Sequence, residues 1–258
     1  MKHLFVVFFF VLSFASSSQE LFPYTEPASN MPSRSISLKT SSFFQQDAYS
    51  GRTMQRHMPE VMFGLNKAWM VHLGTNFSNM HQSSLIWEGA RLYAKYRFLS
   101  NDDVHKHLMG EQSGVQGGII ATQLVNRFAL SATGSWSEVL NNERWQNDAI
   151  GRYAVRSVNY TLSAGYLLLP FEYKDYNQTN VNLYVEMLGS RNVDFPPEKY
   201  YVDLAPAVQA IFNSTAKLNL GYRFQLSSDI HRLSKNSWMI SFEYIFLNAL
   251  KRKARCLA

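Results

Sequence analysis

The chain has little cysteine, no hydrophobic run long enough to cross a membrane as a helix and no helical stripe as long as its strands, and each lack removes a class of protein. Cys256 is the only cysteine among 258 residues and stands almost at the end, so there is no internal disulfide and no acylated cysteine after a cleavage site. An exported domain of this size must then be stabilised by its own core, by metals or by a membrane. The only long apolar run, Leu4–Phe14, has eleven residues, well short of the roughly 20 that a membrane-spanning helix needs. Lys2 precedes it and Ala15-Ser16-Ser17-Ser18 follows, which is the layout of a secretory signal over residues 1–18, cut before Gln19. The net charge is +6, but Lys2 carries one of these charges and Lys251, Arg252, Lys253 and Arg255 carry four more, so the rest is near +1. Basic residues are not spread over a folded face, and nucleic acid is excluded as a partner.

What the chain does have is aromatic residues and alternation. Hydrophobic residues make up 46% and aromatic residues 14%, yet mean hydropathy is −0.20, a combination that suits strands with one apolar face. The stretch Trp87–Asp103 shows the pattern. Ala90, Leu92, Ala94, Tyr96 and Phe98 alternate with Gly89, Arg91, Tyr93, Lys95 and Arg97, a period of two over the roughly 9 to 11 tilted residues that cross a bilayer as a strand. The same alternation recurs in Val181, Leu183, Val185 and Met187 against Asn180, Asn182, Tyr184 and Glu186, and again in Trp238, Ile240, Phe242, Tyr244 and Phe246 against Ser237, Met239, Ser241 and Glu243. Asn66-Lys67, Asn126-Arg127 and Asn213-Ser214-Thr215 read as tight turns, while residues 43–55 and 138–152 read as loops.

Eleven strands can be counted, and the choice is between a soluble β-sandwich and a transmembrane barrel. Strands of about ten residues exceed the soluble norm of about five or six. Trp136, Tyr166, Phe212, Phe224, Trp238 and Phe246 sit near strand ends, as interfacial girdles do. The expectation is therefore all-β: an antiparallel transmembrane β-barrel of about 12 strands over residues 33–250. A lead-in segment at 19–32 would lie on the periplasmic side, and a basic tail would follow at 251–258. Single-chain bacterial barrels have an even strand number, so eleven implies a gap. Strand directions place it after Asp103, where residues 104–113 look too short and polar to cross. The expectation is a lost strand and an open or slipped wall around residues 100–115.

Three motifs carry a resemblance: His57-Met58-Pro59-Glu60-Val61-Met62-Phe63-Gly64, Tyr96-Arg97-Phe98-Leu99-Ser100-Asn101-Asp102-Asp103-Val104-His105, and Asn180-Val181-Asn182-Leu183. With the ending Phe242–Leu250 they resemble a group of uncharacterised outer-membrane β-barrel proteins of Bacteroidota-type bacteria. The resemblance covers most of the mature chain. It implies the fold and an outer-membrane location, and it brings no substrate and no catalytic residues.

The polar faces carry Lys39, Glu60, Arg91, Lys95, Arg97, Glu186, Asp203, Lys217, Arg223 and Glu243. This lumen-lining set, six positive and four negative, reads either as a mildly anion-preferring channel or as salt-bridged side chains filling a narrow barrel, and the second is the better reading. Met54, Met58, Met62, Met70 and Met80 lie near His57, His72 and His81, and thioether and imidazole would suit copper. No ligand spacing selects them, so scattered apolar and loop residues are the plainer account, and no metal or cofactor site is assigned. His105 and His107 are two apart in a polar loop and read as solvated. Ser78, Ser83 and His81 could be drawn as a catalytic group, but no spacing selects them, so no enzyme is expected. The expected partners are outer-membrane lipid, the barrel-assembly machinery and an unidentified small solute. The expected function is passive transport of that solute, or a structural or interaction role. Alternatives are a soluble exported β-protein binding a hydrophobic ligand and a copper-linked transporter. The basic tail reads as touching anionic lipid or as an incidental extension.

Overall fold

The computed structural model describes residues 22–80, 82–97, 102–107, 114–139, 156–172, 175, 177–194, 199–230 and 232–251. The signal segment and the tail beyond Lys251 lie outside them. The alternating stretches form β1 (Ser35–Gln46), β2 (Thr53–Gly64), β3 (Trp69–Ser78), β4 (Ile86–Arg97), β5 (Asp102–His107) and β6 (Gly114–Val125). They continue as β7 (Phe128–Val139), β8 (Arg156–Leu169), β9 (Asn180–Asn192), β10 (Tyr200–Phe212), β11 (Ala216–Ser228) and β12 (Asn236–Phe246). Each strand pairs antiparallel with its chain neighbours, and β1 pairs with β12 from Ile36 opposite Phe246 to Gln45 opposite Ser237, which closes the ring.

The lost strand is corrected by β5. Its six residues pair with β4 from Tyr93 opposite His107 to Arg97 opposite Asp103, and with β6 from Asp102 opposite Ala121 to His107 opposite Gln116. The expectation failed because the alternating stretch ending at Asp103 is two elements, with β4 finished at Arg97 and β5 begun at Asp102. Closure needs each strand to find a ladder partner over part of its length only. The wall is nevertheless low here, since β4 and β6 have twelve residues each and β5 has six. The loop expected at residues 43–55 likewise narrows to 47–52, because β1 and β2 run on as a ladder to Gln46 opposite Thr53.

One end of the barrel carries the tight turns. At Asn66 the side-chain Oδ1 accepts from the backbone N–H groups of Ala68 and Trp69, both at 2.8 Å, which fixes a turn between β2 and β3. Asn126, Asn213 and Ser214 take φ of 55°, 48° and 55°, the left-handed conformation such turns demand. Arg127 joins two turns at this end: its guanidinium donates to the carbonyls of Leu167, Leu168, Pro170 and Phe171 and lies over the rings of Tyr166 and Phe171.

The faces are inverted relative to a soluble protein. Leu73, Leu92, Leu130, Leu162, Leu220 and Phe242 point outward and stay about half exposed, while Glu60, His72, Lys95, Glu186, Asp203, Lys217 and Glu243 point inward and are buried. β12 alternates without a break, with Ser237, Met239, Ser241, Glu243 and Ile245 inside. Aromatic pairs ring the exterior at both ends. Trp69 with Tyr96, Phe128 with Tyr166 and Tyr244 with Phe246 lie at the short-turn end, and Tyr222 with Trp238 toward the other. An exterior this apolar is unfavourable in water by about 25 cal/mol per Å² and is matched by hydrocarbon.

The lead-in segment is the second correction. Expected on the periplasmic side, packed or dangling, its described residues 22–32 pack inside the barrel. Phe22, Ala28, Asn30 and Met31 are almost fully buried, and Phe22 meets Tyr184 of β9 edge-on at 5.4 Å. The polar lumen supplies partners that an extended, proline-rich segment cannot supply for its own backbone.

Candidate functional site

The lumen is organised as a belt of charge and a strap that crosses it. The belt follows from register. Lys217 of β11 stands opposite Glu243 of β12, Glu243 opposite Lys39 of β1, Lys39 opposite Glu60 of β2, Glu60 opposite Gly74 of β3, and Gly74 opposite Arg91 of β4. Signs therefore alternate at one level over six strands. The Lys217 ammonium lies 3.1 Å from Glu243, both almost fully buried, and Ser37 Oγ donates to the same carboxylate at 2.7 Å. Gly74 is the gap that lets Arg91 reach Glu60 over an intervening strand. A Cβ there would stand 3.4 Å from the Glu60 carboxylate and 3.6 Å from the Arg91 guanidinium, and the two charges are hydrogen-bonded across it. The other Glu60 oxygen lies 3.1 Å from His72 Nδ1.

The strap is held from nearly opposite sides. On β9, Glu186 accepts from the Tyr24 backbone N–H at 2.9 Å and from the Thr25 hydroxyl at 2.6 Å. On β4, Lys95 Nζ donates to the carbonyls of Pro27 and Ser29 at 3.0 and 2.7 Å, with Glu26 at 3.7 Å. Between these anchors the Ala28 N–H donates to Thr122 Oγ1 at 2.9 Å, and the Asn30 amide donates to the carbonyls of Lys67 and Ala68 in the first tight turn. Glycines make room: a Cβ at Gly221 would collide with the Tyr24 ring at 2.6 Å, and a Cβ at Gly64 with Met31 at 2.9 Å and with the Pro32 carbonyl. The strap starts beside Tyr184, rises to the level of Glu186 and returns to the short-turn end at Met31.

Toward the long-loop end a second cluster lines the lumen. Asp203 of β10 accepts from Arg223 Nε at 2.6 Å and from two Arg232 nitrogens at 2.6 and 2.8 Å, and both guanidinium groups lie over the Tyr201 ring. Arg56 of β2 donates to Met80 Sδ at 2.6 Å.

The sequence-derived set therefore divides. Lys39, Glu60, Arg91, Lys217 and Glu243 form the belt, Lys95 and Glu186 hold the strap, and Asp203 and Arg223 belong to the upper cluster. Arg97 closes β4 at the short-turn end, partly exposed. Partners for the cations of β4 were expected from neighbouring strands. Arg91 reaches two strands away instead, and Lys95 bonds to the strap. Arg56 and Arg232 were missed, the first because β2 begins earlier than its alternation suggested, the second because it stands in a loop. Of the serines considered for catalysis, Ser78 donates to Glu88 and Ser83 is exposed; His81 lies outside the described residues. His57 lies on the outer face, its Nδ1 2.9 Å from Ser42 Oγ, away from the inward-facing Met62 and Met70. His105 and His107, expected in a loop, occupy β5 and pair in register with Lys95 and Tyr93.

No family model matches the chain, and no curated protein matches it. Solved structures do. An outer membrane channel from Pseudomonas putida F1 is similar at TM-score 0.61 and 10% identity, over 88% of this chain and 100% of that one. The porin NanC is similar at TM-score 0.56 and 11% identity, over 80% and 98%. The beta domain of the Bordetella autotransporter BrkA is similar at TM-score 0.50 and 14% identity, over 82% and 98%. At these identities the likeness establishes the barrel fold.

Proposed function

We propose that this chain is an outer-membrane β-barrel, exported through its N-terminal signal, that passes a small solute through its lumen and rests closed with the strap in place. The observation that carries this reading is a charged, hydrogen-bonding lumen enclosed by a continuous wall whose outer face is apolar. A soluble protein binding a hydrophobic ligand needs the opposite arrangement. The likeness to outer-membrane barrels supports the location, and the motifs around His57, Tyr96 and Asn180 support membership in the Bacteroidota-type group. In that setting the partners are outer-membrane lipid and the barrel-assembly machinery, and no catalytic step is involved.

The strap favours a second reading, a barrel with a structural or interaction role that conducts nothing, because it occupies the lumen at one end. Planar-bilayer recording separates the two. Lys95→Met removes the ammonium that donates to Pro27 and Ser29. The transport reading expects discrete channels whose conductance or open time rises at least severalfold in this variant. Silent membranes from both proteins, each verified as inserted, would leave the structural role.

A further inference from the structure

Within its polar lumen the barrel holds a patch of sulfur. Met62 of β2 and Met70 of β3 are fully buried, and Met31 of the strap packs with them beside Tyr93 and Ile245. His72, 2% exposed, borders the patch. Met62 stands directly opposite His72 in the ladder, which puts their Cβ atoms about 5 Å apart. Met70 lies two residues from His72 on the same inward face, and the Met31 N–H is 3.4 Å from Met70 Sδ. Three methionines from two strands and the strap thus pack in one cluster, with the imidazole beside it in the ladder and against Tyr93.

Methionine fills irregular gaps in ordinary cores, so the sulfur alone decides little. The setting of the imidazole adds an independent observation. His72 Nδ1 lies 3.1 Å from the Glu60 carboxylate and the ring lies 4.6 Å from that of Tyr93. A carboxylate on one ring nitrogen is what orients a metal-ligating histidine and raises its basicity, and here it assigns Nε2 as the ligating nitrogen. Hard and borderline ions find no equivalent, since no group of three or more His, Cys, Asp and Glu suited to a metal occurs among the described residues. Thioethers select soft monovalent ions. Glu60 and Glu26 both stand near His72, Glu26 Oε1 at 4.0 Å from Nδ1, and each also meets a cation, Arg91 and Lys95 respectively.

We propose that Met31, Met62, Met70 and His72 form a binding site for a soft monovalent cation of the Cu(I) type. Because Met31 belongs to the strap and the other ligands to the wall, an ion held there ties the two together. The site stands on side-chain chemistry and is independent of whether the lumen conducts.

The probe is Ag(I), a redox-inert soft cation, titrated into the full folded chain in detergent. A Cys256→Ser background removes the thiol as a competing ligand. One equivalent is expected to bind, with an X-ray absorption spectrum showing thioether sulfur and nitrogen in the first shell. Met62→Leu with Met70→Leu keeps the volume and removes two sulfurs. It is expected to weaken binding at least about 100-fold, because ligands themselves are lost and not only their supporting partners. Absence of stoichiometric silver on the native fold, or undiminished binding after Met31, Met62 and Met70 are all changed to Leu, overturns the site. Should those variants fail to fold, the spectrum of the parent chain decides, and a shell without sulfur overturns the site equally.

Discussion

At the scale of single residues the belt is the most demanding feature, because it buries full charges inside the barrel. Breaking a buried ion pair by removing one partner costs about 3–5 kcal/mol, while removing both costs much less. Lys217 and Glu243 offer a clean test, being 3.1 Å apart and almost fully buried. With Lys39 in register beside Glu243, Lys217→Met is expected to fall at the lower end, about 3 kcal/mol. Glu243→Gln removes the carboxylate that Lys217 meets and that Lys39 faces in register, and is expected to cost more. Urea unfolding of the two single variants and the double in lipid vesicles should give a coupling of about 1–3 kcal/mol. Additive costs would show that the pair contributes no specific interaction. The alternation made it legible that these residues share one face of their strands, and the length and aromatic ends of the strands, by pointing to a barrel, turned that face inward. Which cation meets which anion was not legible, because it depends on register between strands and on a glycine, Gly74, whose role is to be absent from the space between Glu60 and Arg91.

At the scale of elements, the long strands were readable and β5 and the strap were not, for different reasons. β12 alternates over an unbroken ladder, and β9 over one that shifts register only where Leu167 and Leu169 of β8 meet Asn182 and Val181, so local pattern and global pairing agree. β5 has six residues, too few for a pattern to separate from its surroundings. The strap has no period at all; its partners, such as Glu186 for Tyr24, lie 162 residues away. β5 can be tested through its register. Tyr96 and Val104 are directly opposite, a geometry whose Cα separation of about 4.5–5.5 Å suits a disulfide. Tyr96→Cys with Val104→Cys, in a Cys256→Ser background, is expected to crosslink on mild oxidation. A pair offset by two, Tyr96→Cys with Lys106→Cys, should not. Equal crosslinking by both would mean that the segment slides and that the wall is open there after all.

For the whole molecule, the inversion of faces predicts behaviour in detergent. A ring of strands closed on itself, with an apolar exterior, resists unfolding by mild detergent. The unheated protein is expected to run as a compact band, to shift on boiling, and to sediment with outer membranes after cell lysis. Recovery in the aqueous periplasmic fraction with no heat-dependent shift would contradict the barrel's placement in a bilayer. The same inversion explains why composition was ambiguous. A sandwich and a barrel share alternation and mean hydropathy, and differ in which face meets its neighbours, a property of closure that no single strand contains.

The strap lies immediately before β1, and β1 is one side of the seam that β12 completes. That adjacency gives an expected order of folding. Joining Ile36 to Phe246 is the most distant pairing in the sheet, and contacts of such separation in sequence form late because the intervening chain must be organised first. Threading is simplest while the sheet is still an open trough, when Tyr24 can settle against Gly221 and Lys95 can find the Pro27 and Ser29 carbonyls. Sealing the seam then encloses polar groups that already have partners. In this order the nascent sheet does not present its bare charged face to lipid, and the first described residues act as an internal template on which the last strand closes.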